Sequence, residues 1–374
     1  MNFGFTEEQE LLRSEVRKLL DESCPLEQVR KITEDPNGPG FSRELWQKIA
    51  ELGWLGLTIP EAHGGAGLGW VDLVVVLEET GRSLFPSPLV SSTLAAHAIR
   101  RFGSPRQQAA WLPALADGSA IGTVALLEED GAPGPEGVRL AGRAAGKSLT
   151  LTGEKTLVGD AASADLIVVA FRKGKSKDLG LAVVERGAAG LATKDLPGID
   201  LTKRLGRVSL DGVKIGRDAV LAKADAAAIS HLFDVGALAV TAEGVGAAEA
   251  ALALTAGYAK HRVQFGRPIA TFQAVKHPLA EAYVDVQSFQ SLVYYAAWCV
   301  DHGHKDLPLA VSRAKAYASE ALPKLGIDTI QLHGGIGYTW EYDAHLYLKR
   351  AKWLRPAFGD ADWHYERVAR LGGL

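Results

Sequence analysis

Cysteine is scarce in this 374-residue chain. Cys24 and Cys299 are too few for a disulfide framework, and neither has the CxxC or Cys/His neighbour that zinc sites need. Both are expected to be reduced and packed, and no metal site is expected. Cations are not in excess either: Lys+Arg 41 against Asp+Glu 44 leave a formal charge of -3. That balance cannot neutralise a nucleic-acid backbone or hold an anionic bilayer, so neither is an expected partner. The N-terminus, Met1 to Glu8, carries acids where a secretory signal has basic residues followed by an apolar run. No uninterrupted apolar stretch approaches a membrane helix in length, so no membrane span is expected and the protein is expected to be cytoplasmic. Hydrophobic residues at 47% and charged residues at 23% fit an ordinary globular protein, and the length fits two or three domains.

Residues 6 to about 118 have the pattern of helices. Thr6-Glu7-Glu8-Gln9 is a capping box ahead of Leu11, Leu12, Val16, Leu19 and Leu20 at helical spacing. Phe41 to Leu52, with Ser42 as a cap, repeats the logic and ends at Gly53, and the Pro/Gly-rich stretch 34–40 predicts a loop. From about 120 to 222 short β-type runs take over: Ile121 to Leu126, Ser148 to Leu151, Leu166 to Phe171, Leu179 to Val184 and Val213 to Ile215. No crossover helices lie between them, which predicts an antiparallel sheet or small barrel rather than a dinucleotide fold. Ala-rich helical segments follow at 226 to 262, 271 to 302 and 306 to 332, as in a bundle. The expected class is α+β: an N-terminal helical domain (1–118), a middle antiparallel β-sheet or barrel domain (119–225) and a C-terminal four-helix bundle (226–374).

Several motif look-alikes fail on context. Gly142 to Ser148 is one residue short of a phosphate loop and runs into strand-like Leu149-Thr150-Leu151. His63-Gly64-Gly65 and His333-Gly334-Gly335 resemble esterase oxyanion loops, but no G-x-S-x-G elbow accompanies them. Gly244-Val245-Gly246 lacks a third glycine and lies in a helical stretch, which points to close helix packing. His302 and His304 share a polar loop and are read as a solvated face.

Two segments ask for more than core packing. In the first, Tyr258 to Ile269, a helix is expected to end near Phe265-Gly266, with Lys260, Arg262 and Arg267 around that end and Phe272-Gln273 beyond. An arginine fork suits a phosphate or pyrophosphate, although basic residues at a helix C-terminus also offset its dipole. In the second, Gln331-Leu332-His333-Gly334-Gly335-Ile336-Gly337-Tyr338, three glycines in four positions expose backbone amides where a helix terminus needs only one.

With these residues in view, nearly the whole chain resembles the acyl-CoA dehydrogenase family. Leu45-Trp46, Leu52 to Leu57, Ile59-Pro60-Glu61, Gly64-Gly65, Gly67, Glu78 to Arg82 and Phe102 to Pro105 match its N-terminal domain. Arg262, Phe265-Gly266 and Gln273, and then Gln331, Gly334-Gly335 and Gly337, match its two C-terminal flavin signatures. The resemblance implies a helix–sheet–helix subunit that dimerises and binds FAD between subunits. It also implies that Arg262, Gln273, Gln331, Gly334 and Gly335 reach the ADP half of the neighbouring subunit's flavin, with Phe265 a further cofactor-binding residue. The implied reaction is α,β-dehydrogenation of an acyl-CoA thioester: a carboxylate takes the α-proton, the flavin takes the β-hydride, and electrons pass to an electron-transferring flavoprotein.

The same resemblance exposes what is missing. The family base, twenty-seven residues after Gln331, falls on Phe358; the alternative, twenty-nine before Phe265, falls on Gly236. Where the family has a T-E-P run this chain has Leu127-Glu128-Glu129, and after Gly153-Glu154-Lys155-Thr156 it has Leu157 and Gly159 in place of a Trp and a hydroxyl residue. The pattern is similar to the non-catalytic subunit of hetero-oligomeric acyl-CoA dehydrogenases, including those acting on steroid side chains, in which a homologous subunit supplies the base. Two alternatives stand beside it. One is a self-sufficient homo-oligomer with a relocated base, Asp360 foremost and Glu128 or Asp160 more remote. The other is a flavin-free structural pseudoenzyme.

Overall fold

The computed structural model describes residues 5–35, 37–146, 148–174 and 178–374. Met1 to Gly4 of the N-terminal stretch, Pro36 of the expected loop and Lys147 of the phosphate-loop look-alike lie outside the described residues.

Six helices come first: α1 (Glu7–Ser23), α2 (Leu26–Thr33), α3 (Arg43–Glu51), α4 (Trp70–Arg82), α5 (Leu89–Phe102) and α6 (Pro105–Ala116). The expected caps form. Thr6 and Gln9 make the reciprocal capping box, Ser42 Oγ accepts the Leu45 amide at 3.2 Å, and Gly53 takes a positive φ just past α3.

Seven strands follow: β1 (Gly122–Ala125), β2 (Ala141–Ala145), β3 (Ser148–Gly159), β4 (Leu166–Lys173), β5 (Leu179–Glu185), β6 (Leu191–Leu196) and β7 (Leu205–Gly216). They form one sheet in the order β1-β4-β2-β3-β7-β6, with β5 on the other edge of β4. The sheet is mixed, which corrects the expectation of a purely antiparallel one. β4 pairs in parallel with β1 (Gly122↔Leu166) and then with β2 (Ala141↔Arg172), while the remaining pairs are antiparallel. A parallel return needs a long connection, and the β2–β3 hairpin supplies that length between β1 and β4 without an α-helix. Alternating residues of β3 and β7, including Leu149, Leu151, Val208 and Leu210, join Ile167, Val169 and Phe171 of β4 in one buried cluster.

The C-terminal part holds α7 (Ala226–His261), a two-stranded hairpin of β8 (Val263–Gln264) and β9 (Arg267–Pro268), then α8 (Gln273–Asp301), α9 (Leu307–His333), α10 (Ala344–Leu354) and α11 (Ala361–Gly372). α9 packs against α8, α10 and α11. Gly246 answers to helix packing as expected, since a Cβ there would strike the Glu78 carbonyl of α4; one at Gly244 would meet Leu354 Cδ1 at 2.6 Å. α7, at 36 residues, is long and apolar enough by length and composition to cross a membrane, but its apolar run is interrupted by Asp234 and Glu243 and 72% of its most apolar window is buried, as in the core helix of a globular protein.

By contact the described chain separates into two interleaved units. One comprises residues 1–31, 70–85 and 237–374, the other 32–69 and 86–236.

Candidate functional site

The arm is the first element of the site. α7 ends at His261, four residues before the expected stop, because the chain enters a hairpin that pairs Val263 with Pro268 and Gln264 with Arg267. Its two-residue turn is Phe265-Gly266, with φ of 55° and 77°. Two left-handed residues match the twist of a tight hairpin, yet a Phe in the first of them costs about 1 kcal/mol or more. That Phe is 90% exposed, so core burial does not repay the strain. Its ring lies edge-on to Phe272 at 6.0 Å, and the Arg267 guanidinium lies 4.3 Å from the centre of the same Phe272 ring.

The glycine-rich segment is the second element. Gln331 lies on the last turn of α9, and Gly334 (φ 63°) leads into a 3₁₀ turn, Gly334–Tyr338. The three glycines have different reasons. Gly334 needs the positive φ, and a Cβ on Gly337 would crowd the Ile330 carbonyl at 2.5 Å. Gly335 needs neither, and a Cβ there would meet nothing within 4 Å. Among the described residues nothing requires a glycine at this position.

One histidine joins the two elements. His333 is buried, its Nδ1 lies 2.6 Å from the Thr329 carbonyl, and its ring packs on Tyr258 of α7 at 4.5 Å and on Tyr342 at 4.8 Å. Burial lowers its pKa, which favours the neutral ring. Around this joint Arg262, Gln273 and Gln331 are all exposed, and among the described residues none of their side chains makes a hydrogen bond or ion pair. These polar groups suit the phosphates and sugar of a dinucleotide, so the arm fits the ADP half of FAD.

The positions matching the family base hold no acid. Phe358 is half-buried with φ 56°, Gly359 follows at 102°, and the His364 Nε2 lies 3.1 Å from the Phe358 carbonyl. The fully buried Lys315 secures this turn, donating from Nζ to the Gly359 carbonyl at 2.9 Å, the Arg355 carbonyl at 2.9 Å and Ser319 Oγ at 2.8 Å. Burial pushes its pKa down to about 7. Asp360 is exposed and caps α11, with Oδ1 accepting the Trp363 amide at 2.9 Å. Gly236 lies inside α7. Two buried acids of that helix's apolar stretch, Asp234 and Glu243, escaped the sequence reading, although a lone acid in such a run was a visible signal.

The sheet face offers little to a flavin ring. The register slips between Lys155 and Val158, and Leu157 takes φ 52° with its side chain half exposed; a bulge of this kind re-aims a side chain. What it presents is an alkyl group where a ring-stacking indole would serve, and Gly159 has no hydroxyl to donate. Glu128 is committed elsewhere: Oε1 accepts from Lys155 Nζ at 2.7 Å and from the amides of Arg139 and Leu140 at 2.8 and 2.9 Å. Lys155 is fully buried, and burial lowers its pKa against the pull of Glu128. Asp160 Oδ2 accepts Ser91 Oγ at 2.6 Å. Neither acid is placed as a free base, and this face does not fit the isoalloxazine half.

Comparison with known proteins settles the class. Residues 6–119 match the acyl-CoA dehydrogenase N-terminal domain and residues 226–372 the acyl-CoA dehydrogenase C-terminal domain. The chain is 34% identical over 380 residues to the acyl-CoA dehydrogenase FadE27 of Mycobacterium tuberculosis, covering 99% of this chain and 98% of that one. Its fold is similar to a chain of the ChsE4-ChsE5 complex from Mycobacterium tuberculosis, with TM-score 0.91 and 31% identity over 100% of this chain and 99% of that one. It is likewise similar to the Tcur3481-Tcur3483 steroid ACAD, in a variant form, with TM-score 0.87 and 32% identity over 98% of each chain. The protein therefore belongs to the acyl-CoA dehydrogenase family, flavin-dependent oxidoreductases whose cofactor is FAD.

Proposed function

We propose that this chain is the non-catalytic subunit of a hetero-oligomeric acyl-CoA dehydrogenase, completing the FAD site of a homologous subunit that carries the base. The carrying observation is the contrast between an arm whose polar groups and open Gly335 are left for a ligand and base positions held by Phe358 and Gly236. FAD, when bound, accepts the hydride. This chain's part is to hold it: Arg262 pairs with the pyrophosphate, and Gln273, Gln331 and the amides of Gly334 and Gly335 bind along the ADP half, with Phe265 beside them. The substrate is an acyl-CoA thioester and the electron acceptor an electron-transferring flavoprotein. A solved relative described as a steroid ACAD supports a steroid-derived acyl group. Two buried, unpaired cysteines support a reducing, cytoplasmic setting.

A relocated base at Asp360 is disfavoured because its carboxylate serves as an N-cap. A flavin-free role is disfavoured because it leaves Arg262, Gln331 and Gly335 without a purpose. Co-expression with a homologous chain bearing Glu at either base position tests the proposal. Turnover of acyl-CoA is expected only when both are present, and a yellow homo-oligomer that turns over alone would refute it.

A further inference from the structure

A cavity of about 150 Å³ opens in the unit formed by residues 32–69 and 86–236. Its walls come from the start of α3, the turn between β3 and β4, the end of β5, the strand β6 and the approach to β7. Three arginines line it, Arg43, Arg186 and Arg204, together with Asp160, Asp195 and Ser163.

Some of these groups are committed. Asp160 accepts Ser91 Oγ, and Arg186 donates to the Ala162 carbonyl at 2.6 Å and lies 3.6 Å from Asp165. The Arg204 side chain, by contrast, has no hydrogen bond or ion pair among the described residues, and its Nε is buried without an acceptor. Arg43 has neither bond nor pair there; its guanidinium lies 5.8 Å from the centre of the Phe41 ring. Gly40 (φ 82°) makes room for Arg204, since a Cβ at that residue would strike the Arg204 side chain. The fold thus holds the Arg204 side chain against bare backbone beside a cavity in which neither lining acid, Asp160 or Asp195, forms an ion pair with it. The Arg43 and Arg204 side chains both border the cavity without an acceptor among the described residues, and a ligand held there supplies acceptors.

We propose that this cavity binds a phosphate group, either free inorganic phosphate or the phosphomonoester end of a nucleotide. Arginine forks match the paired oxygens of a tetrahedral oxyanion. The space is about ten times what one water requires and below the roughly 300 Å³ at which pockets for larger ligands begin, so it suits one such group rather than a whole nucleotide. The Asp195 carboxylate has no hydrogen bond or ion pair among the described residues and adds selectivity: it accepts from the proton that phosphate carries near neutral pH and that sulfate lacks. None of this depends on where the flavin is held.

The test is calorimetric titration of the full chain, with any partner it co-purifies with, against inorganic phosphate, adenosine 3′,5′-bisphosphate and sulfate. Saturable binding of the phosphate probes is expected, with sulfate weaker. Tighter binding of the nucleotide identifies a nucleotide terminus, and equal affinity identifies free phosphate. Arg204→Met and the exposed Arg43→Met each weaken binding at least about tenfold. Arg207→Met, which breaks only an exposed pair with Glu154, leaves it unchanged. Should Arg204→Met fail to fold in a melting curve, Arg43→Met carries the test. No saturable heat up to about 10 mM of either phosphate probe, or unchanged affinity in Arg43→Met, overturns the proposal. Because the readout is heat of binding, such a failure leaves the flavin assignment untouched.

Discussion

The arm and the turn at the family's base position belong to the same unit, and both hold a phenylalanine in left-handed backbone: Phe265 at φ 55° and Phe358 at 56°. Beside the Phe265 turn and on the glycine-rich segment, Arg262, Gln273, Gln331 and Gly335 remain available to a ligand. At Phe358 the backbone is equally special and the turn is held by two hydrogen bonds from Lys315, to the Arg355 and Gly359 carbonyls, but the side chain has no acid–base chemistry. A turn can keep its backbone after its side chain has lost its chemistry, so strain at a site is evidence of an architecture rather than of an activity.

Breaking the arm should have the largest effect. In the assembled complex Arg262→Ala is expected to lower flavin affinity by about ten- to a hundredfold, the worth of a charge-assisted pair, measured by flavin retention on dilution. Gly335→Val should do the same while leaving the melting temperature of the chain alone unchanged, because a Cβ there meets nothing. A fall in melting temperature would mean that Gly335 serves the fold instead.

Next in size is the support under the turn. Lys315→Met removes a donor to three acceptors and should destabilise the unit by about 3 kcal/mol in urea titration. The pH dependence has a definite sign. With the folded pKa at about 7 and the unfolded one near 10.5, the unfolded chain holds the extra proton between those values. Stability therefore rises from pH 7 toward 10.5 in the wild type, is flat in this respect below 7, and the difference between wild type and variant isolates that slope.

A smaller effect is expected at Asp360. Removing the cap in Asp360→Ala should cost about 1 kcal/mol, whereas Asp360→Asn, which can still cap, leaves both stability and turnover of the complex intact. Loss of turnover in Asp360→Asn would revive the relocated-base reading. The smallest expected change is none: Phe358→Glu alone should not make the isolated chain a dehydrogenase, because Leu157 and Gly159 still offer the flavin ring no hydroxyl. Turnover in that variant would show that the sheet face is sufficient as it stands.

The long helices could be read from the chain because alanine-rich runs have clear ends: 226 to 262, 271 to 302 and 306 to 332 became Ala226–His261, Gln273–Asp301 and Leu307–His333. The strand β6 went unread because Leu191–Leu196 is mostly exposed and carries Lys194 and Asp195, so no alternation reveals it. The second half of β3 was hidden by Lys155, a lysine whose full burial depends on Glu128 twenty-seven residues away. Parallel pairing of β4 with β1 and β2 is a matter of register between distant segments, which local pattern does not encode. At the site, Arg262 and Gln331 were visible from their chemistry. The separate reasons for Gly334, Gly335 and Gly337 required backbone angles and neighbours, as did the role of Lys315.

The most direct test is to purify this chain alone and again with its base-bearing homologue, then record flavin absorbance and acyl-CoA turnover for each. The account predicts a colourless, inactive chain alone and a yellow complex that is faster by at least about a hundredfold, the contribution of a positioned base. Stoichiometric flavin and full turnover in the lone chain would contradict it.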